Sequence, residues 1–217
     1  MNLLKKIIKL ALLAFGIIVA TRAAFAFIII VYYAYQTDSV KTDERHLSHT
    51  EKIIETEFSS EENAALPPPP DPEKSLVGLM GVDINNNGVR DDLERIIAVQ
   101  YNNTPEAKKA AMATIRFEQN AMKLAAEGKR DEAVDMVKKS LYWMECSIEL
   151  AEYETSQKGI KSSEPVSETF RYLIKIINNT NERADASAKV SKACSGHVFG
   201  GEDSSIETCR KKLKLEH

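Results

Sequence analysis

The sequence predicts an all-α protein, a helical bundle with an apolar helix at its N-terminus. Three observations predict it. From Leu93 onward apolar residues recur at steps of three and four, the spacing that lines one face of a helix. The segments so marked are separated by helix punctuation: Thr104-Pro105-Glu106, Gly128, Gly159 and Pro165. No stretch shows sustained period-two alternation, the mark of a half-buried strand. With 217 residues, 43% of them hydrophobic, the chain is long enough for one domain with accessory segments. Its net charge of -3 supplies no basic face, so no nucleic-acid partner is expected.

The N-terminus reads as an address. Lys5, Lys6 and Lys9 precede an apolar run from Leu10 to Tyr35. A helix over residues 7–35 would be roughly 43 Å long, against a hydrocarbon core of about 30 Å. Residues 1–36 are therefore expected to form a cytoplasmic Lys-rich end and a transmembrane signal-anchor, with residues 10–33 in the membrane. Arg22 within the run costs on the order of 2.5–3.5 kcal/mol on insertion scales, reduced by snorkelling. The alternative is a cleaved signal peptide, with Leu10 to Ala20 as its apolar region and Ala24-Phe25-Ala26 as its cleavage pattern. Cleavage would leave Phe27 to Tyr33 exposed, an aggregation hazard that favours the anchor. Either way the downstream chain is exported. The expectation is a single-pass protein of the inner (cell) membrane with a periplasmic or extracellular C-terminal domain; cleavage would give a secreted or periplasmic one.

Residues 37–72 read as a charged stalk and Pro-rich linker. Leu47, Ile54 and Phe58 mark a weakly amphipathic helix, and His46 and His49 read as solvated. Five prolines in the six positions from Pro67 to Pro72 favour a polyproline II spacer. The folded domain is expected over 73–214, and residues 215–217 read as the remnant of an affinity tag.

One stretch names a chemistry. In Asp83 to Glu94 oxygen-bearing side chains recur at positions 1, 3, 5, 9 and 12 of a twelve-residue loop, namely Asp83, Asn85, Asn87, Asp91 and Glu94. Gly88 falls at the sharp sixth position, and Val89 at the seventh, where the backbone carbonyl is the ligand. Calcium, a hard cation taking six to eight oxygens, requires this pattern. The loop resembles the EF-hand-type calcium-binding loop in its single-copy, dockerin-like form, a likeness confined to this motif and the helix after it. The resemblance implies Ca2+ held by Asp83, Asn85, Asn87, Val89, Asp91 and Glu94, with Glu94 bidentate. It departs from the paired form at position 8, where an aliphatic residue that meets a partner loop is replaced by Arg90, and no second loop follows. Gly78 and Gly81 shorten the entering helix. With only three charged ligands, affinity is expected near the ~10⁻⁴ to 10⁻³ M of extracellular modules.

Four helices and a short tail helix follow. Leu93, Ile96, Ile97 and Tyr101 define the first. The second, from Pro105 to about Glu127, has one stripe of Ala110, Thr114, Phe117, Ala121 and Leu124 and another of Ala111, Ile115, Met122 and Ala125. In the third, Val134, Val137, Leu141, Met144, Ile148 and Ala151 are expected to face the core. Pro165 opens the fourth, which Asn178 to Asn181 interrupt, with Asn181 as the cap of the continuation. The basic run Arg210, Lys211, Lys212 and Lys214 reads as a solvated helix end.

Outside the cytoplasm Cys209 is expected to form a disulfide, with Cys194 or Cys146. The leftover thiol has His197 as the one candidate base in the body. No Gly-x-Ser-x-Gly, His-Glu-x-x-His or phosphate-binding glycine loop occurs. The expectation is therefore a non-enzymatic module that binds another envelope protein or component. The alternatives are an envelope enzyme of hydrolase type, or an immunity-type inhibitor of an exported toxin.

Overall fold

The computed structural model describes residues 47–159 and 166–215, and these lie within one compact unit of the chain. The expected membrane segment at 10–33 lies outside the described residues. Among the described residues no helix is long and apolar enough to cross a membrane.

Every regular element among the described residues is helical, in keeping with the expected all-α class. Residues 47–57 are helical (α1), followed by α2 (Ser60–Ala64) and α3 (Pro72–Ser75). Then come α4 (Asp91–Gln100), α5 (Pro105–Ala126), α6 (Arg130–Gln157), α7 (Val166–Ile177), α8 (Asn181–Cys194) and α9 (Ile206–Leu213). Local chemistry sets several of these ends. Ser59 and Glu62 close a reciprocal capping box on α2. Asp71 caps α3, which starts on the last proline of the run because proline suits the first helical turn. Thr180, rather than Asn181, caps α8, its hydroxyl accepting from the Arg183 N–H.

The core is built on the hairpin of α5 and α6, joined by a tight turn at Gly128, whose φ of 80° suits glycine. The α5 face is mostly alanine, with Ala107, Ala110, Ala111, Ala121 and Ala125 buried, so α6 can approach closely. That closeness rotates α6 from the expected orientation. Its buried face runs through Ala133, Ser140, Trp143, Ser147 and Leu150; of the expected stripe Val134 and Ala151 are buried, while Val137, Leu141, Met144 and Ile148 are half-buried at the flank. Small residues fit against the alanines where larger ones would hold the helices apart. Helix α8 lies against both hairpin helices, α9 against α6 and α5, and α4 against α5 and α7.

The disulfide joins Cys146 of α6 to Cys209 of α9, with Cα atoms 5.6 Å apart, and Cys194 keeps its thiol. It closes a loop of sequence separation 63, for which chain-entropy models give a stabilisation of about 4 kcal/mol. The basic end of α9 is more engaged than expected. Arg210 pairs with Glu106 at 2.7 Å and lies over the Tyr153 ring, and Lys212 pairs with Glu202 at 2.6 Å and lies over Tyr142.

The segment before the loop packs on the body where a free spacer was expected. Helix α1 buries Thr50 and Ile54, one turn apart on one face. Pro67 is buried, and its carbonyl accepts from Arg95 Nη1 at 2.6 Å. Residues 47–72 therefore share contacts with the body, and residues 73–82 lead from them into the loop.

Candidate metal centre

Three elements position the loop. Its incoming strand of chain is held by Arg183 of α8, whose guanidinium donates to the carbonyls of Ser75 (2.6 Å) and Leu79 (3.2 Å). Its exit is the first turn of α4, and Asp91 N–H donates back to the Val82 carbonyl at 2.9 Å, closing the loop at its neck. The third support is α5, from which Gln119 Oε1 accepts the Arg90 N–H and the Arg116 stem covers Gly88.

Within this frame the polar side chains turn inward. Asp83 accepts from the N–H groups of Asn87 (3.2 Å) and Gly88 (2.9 Å), one on each carboxylate oxygen. Asn86 and Gly88 take positive φ, 56° and 82°, which lets successive N–H groups point to the loop interior. Asn85 and Asn87 both donate their amide N–H to Glu94 Oε2, at 3.0 and 2.8 Å. Asp91 accepts from the Ile84 N–H at 3.1 Å. Val89 buries its side chain in the core and donates its N–H to Asn87 Oδ1 at 2.8 Å. All six expected ligand residues thus bond to one another or to loop backbone, Val89 through its N–H while its side chain lies in the core.

Charge accumulates there. Burial raises the pKa of the Asp91 carboxyl; the Ile84 N–H opposes the rise, and the neighbouring charges of Asp83, Glu94 and Asp92 add to it. Converging carboxylates of this kind are relieved by a cation. Among the described residues no three His, Cys, Asp or Glu side chains stand close enough to form a cation site by themselves. The expected set does not rely on acids alone, since half its ligands are amide or backbone oxygens. A half-turn of the Asn85 and Asn87 amides would replace N–H donors facing Glu94 with oxygens facing a cation. That half-turn would break the bonds from the Asn87 N–H to Asn85 Oδ1 and from the Val89 N–H to Asn87 Oδ1, and on that condition the donor set carries oxygens of the kind calcium takes.

Arg90, the departure at position 8, has a role of its own. Buried at 1% exposure, it forms a double hydrogen bond with Asp92 through Nε and Nη2 and approaches the carbonyls of Ile176 and Ile177 at the end of α7 at 3.5 Å. The position that would meet a partner loop is instead tied to α5 through its backbone and to α7 through its side chain. Arg183 is equally buried, and burial beside Arg90 pushes its guanidinium down to about 10. Arg95, one residue beyond Glu94, binds both carboxylate oxygens of Glu51 in α1. Sequence reading passed over Arg95, Arg183 and Gln119 because, apart from the Arg183 bond to Asn179 four residues away, the partners of their side chains lie from 28 to 108 residues away.

Cys194 is half-buried, and burial pushes its thiol up, with the Glu118 charge adding and Arg130 opposing. His197 is exposed and its ring stacks near Phe199, 6.4 Å between centroids. His49 is exposed as expected. Compared with known proteins, the chain matches no family model, no curated protein and no solved structure.

Proposed function

We propose that this chain is a membrane-anchored helical binding module of the periplasmic or extracellular side, whose Asp83–Glu94 loop holds a structural calcium ion and which engages another envelope protein or component. The observation that carries the metal reading is the hydrogen bonding of Asp83, Asn85, Asn87, Asp91 and Glu94 to one another and to backbone within one loop, with Gly88 in left-handed backbone at the sixth position, where a calcium loop turns sharply. Its structural character is supported by the surroundings. The loop is clamped by Arg183, Gln119 and Arg116 on one side and continues into α4, whose Arg95 binds α1. An ion placed there fastens the incoming chain to the bundle. The anchor and the export of the domain rest on the Lys-flanked apolar run at residues 10–33.

The test is calorimetric titration of the full-length chain with Ca2+, alongside Glu94→Gln. Wild type is expected to bind with a dissociation constant of roughly 10⁻⁴ to 10⁻³ M and to melt higher in millimolar calcium. Glu94→Gln, lacking a bidentate carboxylate, is expected to lose both effects. A wild-type protein that gives no heat and no rise in melting temperature refutes the metal reading.

A further inference from the structure

Helix α6 and the segment that joins α8 to α9 line a cavity of about 350 Å³. One wall is a single face of α6, formed by Lys138, Leu141, Tyr142 and Glu145, and the other is residues 198–202. Lys138 and Glu145 are the first and last residues of the α6 wall, and among the described residues neither forms an ion pair or a hydrogen bond. We propose that this cavity binds a short extended peptide with free termini, about three residues long, its ammonium on Glu145 and its carboxylate on Lys138.

Charge selects the ends. Lys138 and Glu145 are seven residues apart on one helix face, which is roughly 10 Å along the axis at about 1.5 Å per residue. The third charge of the lining, Glu202, is already held by Lys212 at 2.6 Å. The charges left over are one cation and one anion at opposite ends, the complement of a zwitterion. An extended chain advances about 3.3 Å per residue, so about three residues span the interval. Backbone selects what lies between the ends. Residues 198–202 belong to no helix, and among the described residues their N–H and C=O groups make no backbone hydrogen bond. They form an unpaired edge to which an extended peptide can add its own amides, as in strand addition. At Gly200 and Gly201 no atom stands within 4 Å of an added Cβ, so the space beside this backbone is open. Leu141 and Phe199 are half-buried and Val198 is 93% exposed, which leaves apolar surface for the peptide's side chains to cover. No residue of the calcium loop lines the cavity, so the site does not depend on whether calcium binds.

Full-length chain in phosphatidylcholine nanodiscs is dialysed to equilibrium against radiolabelled trialanine, with empty nanodiscs as blank. Saturable binding is expected, weakened about tenfold by Lys138→Gln and about tenfold by Glu145→Gln. N-acetyltrialanine and trialanine amide each lack one terminal charge and, as competitors on the wild type, are expected to bind about tenfold more weakly than trialanine. The linear ω-aminooctanoate carries both charges without the amides and is expected to compete about tenfold more weakly as well. Absence of saturable trialanine binding overturns the site. Full competition by the capped peptides overturns the assignment of the ends, and it does so on wild-type protein, whatever the variants do. Full competition by ω-aminooctanoate overturns the pairing with the 198–202 backbone. Melting curves of Lys138→Gln and Glu145→Gln establish that the variants are folded, and a folded variant with wild-type affinity overturns the role of the residue it replaces.

Discussion

Gly88 shows how much one missing side chain carries. Its φ of 82° lies in the left-handed region, and an added Cβ would stand 3.1 Å from the Arg116 Cγ and Cδ. Gly88→Ala is therefore expected to cost roughly 1–2 kcal/mol from backbone strain, measured by denaturant melting, with a further loss of calcium affinity as the Asp83 contact to the residue-88 N–H shifts. An unchanged stability would mean that the loop relaxes freely at this point. The glycine was legible from the twelve-residue spacing because calcium loops fix it by local geometry. Arg90 was legible only as a departure. Its Asp92 partner is two residues away, but its reach to the α7 carbonyls depends on a helix some 86 residues later in the chain, which no local pattern encodes.

At the level of elements, the helices were legible where they announce their own ends, as at Thr104-Pro105 and Gly128, while their orientation was not always. Helix α6 illustrates the difference. The step of three and four is real and buries Val134 and Ala151 at its ends, yet between them the alanine-rich α5 selects a neighbouring face through Ser140 and Ser147, because depth of approach outweighs side-chain size. The same rotation brings Ser140 to Glu118, whose carboxyl is pushed up by burial while the Ser140 hydroxyl, at 3.1 Å, opposes the shift. An acid whose pKa is raised in the folded state destabilises that state when ionised. The penalty is full above the folded pKa and disappears as pH falls below the unfolded one. Glu118→Gln, which keeps the hydrogen-bonding shape without the charge, is expected to raise the melting temperature at neutral pH, with the gain shrinking to nothing in acid. A gain independent of pH would show that packing, not ionisation, governs the site.

Across the whole molecule, buried arginines join segments that the sequence reading kept apart. Arg183 reaches the carbonyls before the loop, Arg90 reaches the end of α7, and Arg95 reaches both α1 and the proline run. The expected stalk looked like a spacer because charge-rich and proline-rich stretches ordinarily have too few apolar groups to dock. Here Ile54 and Pro67 supply the burial and Arg95 the specificity. Arg95 is 3% exposed and its Glu51 partner 24%, so the pair lies between the surface and interior limits. Arg95→Ala leaves the Glu51 carboxylate and the Pro67 carbonyl without their donor, a loss of about 3 kcal/mol at the lower end of the range for broken buried pairs. The segment can answer that loss in two ways. It can stay docked and lower the stability of the whole bundle, or it can release residues 47–72 and regain water for Glu51 and Pro67. Release is expected, because α1 buries only Thr50 and Ile54 while the α5–α6 hairpin has its own alanine-packed core and the Cys146–Cys209 bridge. Hydrogen exchange on Arg95→Ala should therefore show amides of 47–57 losing protection while those of α5 and α6 keep theirs. Uniform loss across α1, α5 and α6 would instead make the arm an integral part of one cooperative bundle, and unchanged protection in α1 would assign its docking to Ile54 rather than to the arginine.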